Sequence, residues 1–224
     1  MTNFENFDKA IFLGEGKYDI PVIRPIKELP QPDNYISMNY VLTSKNRSKL
    51  AVHCFVDDYQ FLRYWNEPNR YIPILKEFNC VLAPDFSLYT DMPMAMQIYN
   101  HYRKHWLAAY WQYCGIKVYP TITWSTPESY EWCFDGEPHN SVVAVSSVGV
   151  MRDKESYAIF MDGYNEMKRR LNPTGIIFYG KIPDECKSDN VIAIEPHYKS
   201  VAERCNKNKN KKPLHITKPE TDEK

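Results

Sequence analysis

The chain reads as an α/β protein assembled from repeated strand–helix units. Three observations point there. Short apolar runs return at fairly regular spacing, each gives way to a polar residue at its C-terminal end, and most are followed by an amphipathic stretch with a recognisable helix start. The runs are Leu50 to Val56, Cys80 to Ala83, Ile116 to Thr123, Val142 to Val145, Gly175 to Tyr179 and Val191 to Ile194. Their unbroken apolar character suits strands covered on both faces, as in a parallel sheet with right-handed crossovers. Regular strand spacing and the lack of a Gly-rich phosphate loop favour a small or incomplete (β/α) barrel-like arrangement, and an open doubly wound parallel sheet is the alternative.

Taken in order, residues 1–34 carry Pro21, Pro25, Pro30 and Pro32, each of which removes a donor and restricts the residue before it. They read as an extended arm packed on the domain. The alternating stretch YISMNYVLTS from Tyr35 suits a half-buried strand and opens a single α/β domain over 35–203. A helix over 59–66 can be capped by Asp57 or Asp58 and places Phe61, Leu62 and Trp65 on one face. Asp91 precedes a long helix with a stripe of Met94, Ile98, Tyr102, Trp106, Ala109 and Tyr113, stopped at Gly115. Ser125-Thr126-Pro127-Glu128 has the form of a capping box with proline in the first turn, opening a short helix to Trp132. Asp153 opens the last helix, with Ile159, Phe160, Tyr164, Met167 and Leu171 inward and Lys168, Arg169 and Arg170 in the final turn, where cations suit the dipole. The run Asn206 to Lys212 begins a low-complexity end, so 204–224 reads as a disordered basic tail.

Composition narrows the function classes. Of 224 residues, 43% are hydrophobic and 14% aromatic, enough for one well-filled core. Lys plus Arg and Asp plus Glu both number 28, so no global field draws in nucleic acid or an acidic membrane. The first residues hold acids and no basic segment before an apolar run, and no stretch approaches the roughly 18 to 20 apolar residues of a membrane span. A cytoplasmic protein with no membrane partner is the expectation. The six cysteines, Cys54, Cys80, Cys114, Cys133, Cys186 and Cys205, are scattered without zinc-ligand spacing and read as reduced structural thiols.

Four strings stand out: VLAPDFSLYTDMP at 81–93, GIKVYPTITWS at 115–125, SYEWCFDGEPHNSVVAVSSVGV at 129–150 and IIFYG at 176–180. Through them the chain resembles, over about residues 20–200, the family described as domain of unknown function 4417, carried by phages and mobile elements of bacteria. The resemblance implies an accessory protein of phage or mobile-element origin in a bacterial host cell. It brings no reaction, cofactor or site residue.

In parallel α/β architectures ligands bind at the C-terminal strand ends. Here that rim gathers Asp57, Asp58, Asp85, Ser87, Thr123, Trp124, Ser125, Ser146, Ser147, Tyr179, Lys181, Glu195 and His197. Asp85 follows Pro84 directly, while Asp91 is already available as the next helix cap, so Asp85 is a candidate general base; an Asx turn is its purely structural reading. Glu195 ends an apolar strand and pairs with Asp85 as a candidate catalytic carboxylate, or else forms a salt bridge to Lys199 or Arg204. Ser87, Thr123, Trp124, Ser146, Tyr179 and Lys181 are the candidate ligand-binding residues. His101 and His105 have a metal-compatible spacing, but a metalloprotease needs Glu where Tyr102 stands, and with Arg103 and Lys104 beside them they read as a solvated face. No metal is assigned. Two functions stay open: an enzyme or small-ligand binder for a nucleotide or sugar on the rim, and a non-enzymatic protein binding nucleic acid or a host defence or replication protein. Lys207, Lys209, Lys211 and Lys212 offer a weak, salt-sensitive phosphate contact.

Overall fold

In the computed structural model of the chain, residues 5–187 and 189–194 are described. Glu195, His197, Cys205 and the basic tail lie outside them. Among the described residues seven parallel strands follow one another in chain order. β1 (Gly14–Glu15) and β2 (Ile20–Pro21) first form a small antiparallel ribbon. Then β3 (Asn34–Ser37), β4 (Leu50–His53), β5 (Cys80–Leu82) and β6 (Val118–Tyr119) pair side by side, as do β7 (Val142–Ser146), β8 (Gly175–Tyr179) and β9 (Val191–Ile194). A parallel bridge between Thr121 and Ala144 joins the two groups, with Ile122 N–H donating to Ala144 O and Ala144 N–H to Pro120 O, both at 2.8 Å.

This strand order never reverses, so the crevice of a doubly wound sheet does not arise. The sheet instead curls. In a flat sheet β4 and β8, four positions apart, would stand roughly 19 Å from one another, yet the rings of Phe55, just past β4, and Tyr179 at the end of β8 stack with centroids 4.7 Å apart. Ala51, Leu82, Tyr119, Ala144, Ile177 and Ile194, from six successive strands, share one buried cluster on the inner face. Among the described residues the curl does not close into a barrel.

Helices cover the outer face. α1 (Leu62–Asn66), α2 (Pro68–Leu75) and α3 (Met94–Tyr113) pack Tyr64, Leu75, Leu107 and Trp111 against Val52, Val81 and Val118, while α4 (Lys154–Leu171) packs Phe160, Tyr164 and Met167 against Val143, Ile176 and Phe178. α4 starts as expected, Asp153 accepting from Ser156 N–H at 2.7 Å. Other starts differ. Neither Asp57 nor Asp58 caps a helix; a 3-10 turn at Asp58–Gln60 leads into α1. α3 begins past Asp91 with Pro93 at the cap position, and its first turn is tied by Gln97 Nε2 donating to Met92 O at 2.8 Å. The capping box forms only a 3-10 helix, Pro127–Glu131, without a side-chain cap bond. The half-buried strand expected from Tyr35 stops at Ser37 and turns.

The arm is fastened rather than draped. Ile20 and Ile23 are fully buried. Arg24 N–H donates to Gln112 Oε1 at 2.8 Å while Gln112 Nε2 donates back to Arg24 O at 3.0 Å, and Ile26 N–H donates to Ser141 Oγ at 2.9 Å. Side chains thus give the arm the backbone pairing that its prolines deny it in a sheet. The five described cysteines are free thiols. No helix among the described residues is long and apolar enough to cross a membrane.

Candidate functional site

A cavity of about 520 Å³ opens at the C-terminal ends of β6 and β7. Three of the expected ligand-binding residues, Thr123, Trp124 and Ser146, stand in its wall. The rest comes from Thr90, Ile122, the turn at Val148, Gly149 and Val150, and the start of α4 with Asp153, Glu155, Ser156, Ile159 and Phe160. Local chemistry builds this shape. Gly149 adopts φ +86°, open to glycine at little cost, and folds the chain after β7 back toward α4. Trp124 reaches its place because Gly163 offers bare backbone beneath it, and its ring packs 5.4 Å from that of Phe160.

The wall combines the apolar side chains of Trp124, Ile159 and Phe160 with the polar groups of Thr123, Ser146, Asp153, Glu155 and Ser156. Ser146 Oγ accepts from Val148 N–H at 3.3 Å, and Thr123 Oγ1 is buried without a hydrogen-bond partner among the described residues. Asp153 and Glu155 bring two carboxylates to the site; among the described residues no Lys or Arg stands in the wall itself, and Arg152 lies beside Gly149. The Asp153 carboxyl is held below its ordinary value by the hydrogen bonds from Ser156, so it stays ionised.

The other rim residues divide into separate groups. Tyr179 belongs to an aromatic trio at the inner mouth, its ring 4.8 Å from His53 and 4.7 Å from Phe55. His53 is buried at the end of β4, with Nδ1 accepting from Phe55 N–H at 3.3 Å. It occupies a strand end like the candidate residues of the rim, but it lies inside an apolar run, where nothing in the sequence marks it as a site residue. Ser87 is committed to structure: its N–H and Oγ both donate to the Asp58 carboxylate, the hydroxyl at 2.9 Å. Lys181 is exposed, and its carbonyl accepts from Ser147 Oγ at 2.6 Å.

Asp85 is not in the cavity wall. Its Oδ1 is buried with no hydrogen-bond partner among the described residues. Burial lifts its carboxyl to about 7, against the pull of the Lys104 ammonium and with the push of Asp58. Its pairing with Glu195 falls outside the described residues.

α3 overturns the solvated-face expectation. His101, Lys104 and His105 are buried, each at most 1% exposed. Lys104 Nζ bonds Glu137 Oε1 at 2.6 Å and Thr121 O at 2.9 Å, and His105 Nε2 lies 3.0 Å from the same carboxylate oxygen. Burial alone would raise the Glu137 carboxyl, but Lys104 and His105 outweigh it and hold it below its ordinary value. Tyr113 and Met94, expected in the inward stripe, are exposed instead.

Comparison with known proteins places the chain. It is 38% identical over 179 residues to the Gene 1 protein of Mycobacterium phage D29, covering 78% of this chain and 64% of that protein. It is also 38% identical over 174 residues to the Gene 1 protein of Mycobacterium phage L5, covering 78% of this chain and 76% of that protein. The chain thus spans less than two thirds of the D29 relative's length. No solved structure matches it significantly. The family model described as "Domain of unknown function (DUF4417)" matches residues 12–198, and the chain belongs to that family.

Proposed function

We propose that the protein acts in the bacterial host cytoplasm as a phage-type accessory protein that binds a small, uncharged or cationic polar molecule in the cavity beside Trp124. The cavity carries the proposal: its volume of about 520 Å³ falls within the range of roughly 300 to 1,000 Å³ usual for ligand sites. An indole wall and hydroxyls in the same cavity suit a ring with polar edges, such as a nucleoside base or a sugar. Between nucleotide and sugar, charge favours the uncharged compounds. A phosphate entering here would meet Asp153 and Glu155, two carboxylates, against the single cation Arg152 beside Gly149, with no Lys or Arg among the described residues of the wall itself. This reading uses no residue of the Asp85 group.

The test is titration of the purified protein with nucleosides and monosaccharides alongside their phosphorylated forms, followed by tryptophan fluorescence and calorimetry. Binding of an uncharged member, weakened about tenfold in Trp124→Phe with loss of its fluorescence response, supports the proposal. Tighter binding of the phosphorylated forms, or no binding at millimolar concentration, refutes it.

A further inference from the structure

Away from the cavity, His101 and His105, one turn apart on α3, meet Glu137 from the loop before β7. Ligand atoms of the three lie within 4.8 Å of one another, and all three side chains are buried. The surrounding hydrogen bonds determine which ring nitrogens are available. His105 Nδ1 lies 2.8 Å from Pro21 O and His101 Nε2 lies 3.2 Å from Asp135 O. A carbonyl oxygen only accepts, so those nitrogens carry protons; His101 Nδ1 keeps a lone pair, and His105 Nε2, 3.0 Å from Glu137 Oε1, becomes a ligand when a cation displaces the proton it shares with that carboxylate. Histidines whose second N–H is held by a carbonyl are oriented as metal ligands are.

Two acceptors in this cluster lack a donor. His101 Nδ1 and Glu137 Oε2 are both buried without a hydrogen-bond partner among the described residues. With Nε2–H directed at Asp135 O, a neutral His101 presents Nδ1 as a bare lone pair. A buried acceptor left unmet is costly. A single cation answers both.

The geometry points to a divalent cation of the zinc class held by His101 Nδ1, His105 Nε2 and Glu137 Oε2, a structural site that ties α3 to the loop before β7 and, through Pro21, to the N-terminal ribbon. Two imidazoles and a carboxylate suit zinc, whose bonds of about 2.0–2.2 Å would draw the ligand atoms to roughly 3.3 Å from one another. Lys104 holds the other carboxylate oxygen, Oε1, and so serves as an outer donor that orients Glu137. Its charge opposes a cation and lowers the affinity of the site. Burial of all three ligands shuts out substrate, which makes the role structural rather than catalytic.

The full chain, stripped with a chelator, is titrated with zinc and with cobalt(II). Uptake of one equivalent is expected, with a rise in melting temperature and a visible cobalt spectrum of nitrogen and oxygen ligation. His101→Phe keeps a ring against Trp132, 5.4 Å away, and removes Nδ1; it should weaken uptake at least tenfold. If that variant does not fold, X-ray absorption of the zinc-loaded wild type decides, two imidazoles without sulfur supporting the site and a sulfur ligand refuting it. Absence of uptake, which would leave the gap to a water molecule, also overturns the proposal. So does uptake unchanged in His101→Phe, which would place the metal elsewhere, for example at His197 or His215.

Discussion

Trp124 lies against the bare backbone of Gly163: a β-carbon at 163 would come 2.1 Å from the indole Nε1 and 2.2 Å from Cδ1. Glycine in a helix interior costs about 1 kcal/mol relative to alanine, and α4 bears that cost to seat the cavity wall. Gly163→Ala should therefore destabilise by about 1–3 kcal/mol in spite of its better helix propensity, because the indole must shift. Denaturant midpoints measure this, and a neutral or stabilised variant would show the indole free to move.

Asp85 makes stability depend on pH. Its carboxyl is raised from 3.8 to about 7 in the folded protein, so between those values the folded state binds more protons than the unfolded one. Its contribution is then present in full below about pH 4 and is lost as pH rises through 7. Asp85→Asn should match the wild type near pH 4 and exceed it at pH 8 by roughly 2–4 kcal/mol. Melting temperatures across that range test it; a gap that is constant with pH would remove Asp85 as the cause.

Lys104→Met should cost about 3–5 kcal/mol, since it leaves the Glu137 carboxylate buried with its ion-pair partner gone. A surface lysine would cost almost nothing. Urea unfolding separates the two, and a loss under 1 kcal/mol would contradict the buried pairing.

Gln112→Leu keeps volume but strands Arg24 N–H and O, which the amide of Gln112 satisfies together. A loss of about 2–4 kcal/mol is expected, along with faster amide exchange at Arg24. Unchanged exchange at that residue would show the arm held by its neighbours alone.

How far the sequence discloses this molecule depends on where each residue's partner lies. The apolar runs at Val142 to Val145 and Gly175 to Tyr179 and the cap at Asp153 depend on local pattern, and each appears where it was read. Thr123, Trp124 and Ser146 were legible as a group because strand ends of one sheet share a rim. α2 was not, because Pro73 inside it reads as a helix breaker and its loss of one bond is offset by burial of Tyr71 and Leu75. The histidines and Lys104 of α3 read as solvent-facing since their partners, Pro21 O, Thr121 O and Glu137, come from 17 to 84 residues away. A polar residue in a helix can be placed only once its distant partner is known. His53 was hidden by its apolar neighbours.

Chain order and strand order coincide here, which bears on how the molecule assembles as it is synthesised. Every parallel neighbour of a strand is the one just made or the next to come, so the sheet can lengthen unit by unit as the polypeptide leaves the ribosome. The arm is the exception. It emerges early, yet its fastenings are 88 residues away at Gln112 and 115 residues away at Ser141. The arm is made before the residues that fasten it, so it cannot complete its docking until residue 141 has been synthesised, and before then Ile20 and Ile23 lack that cover.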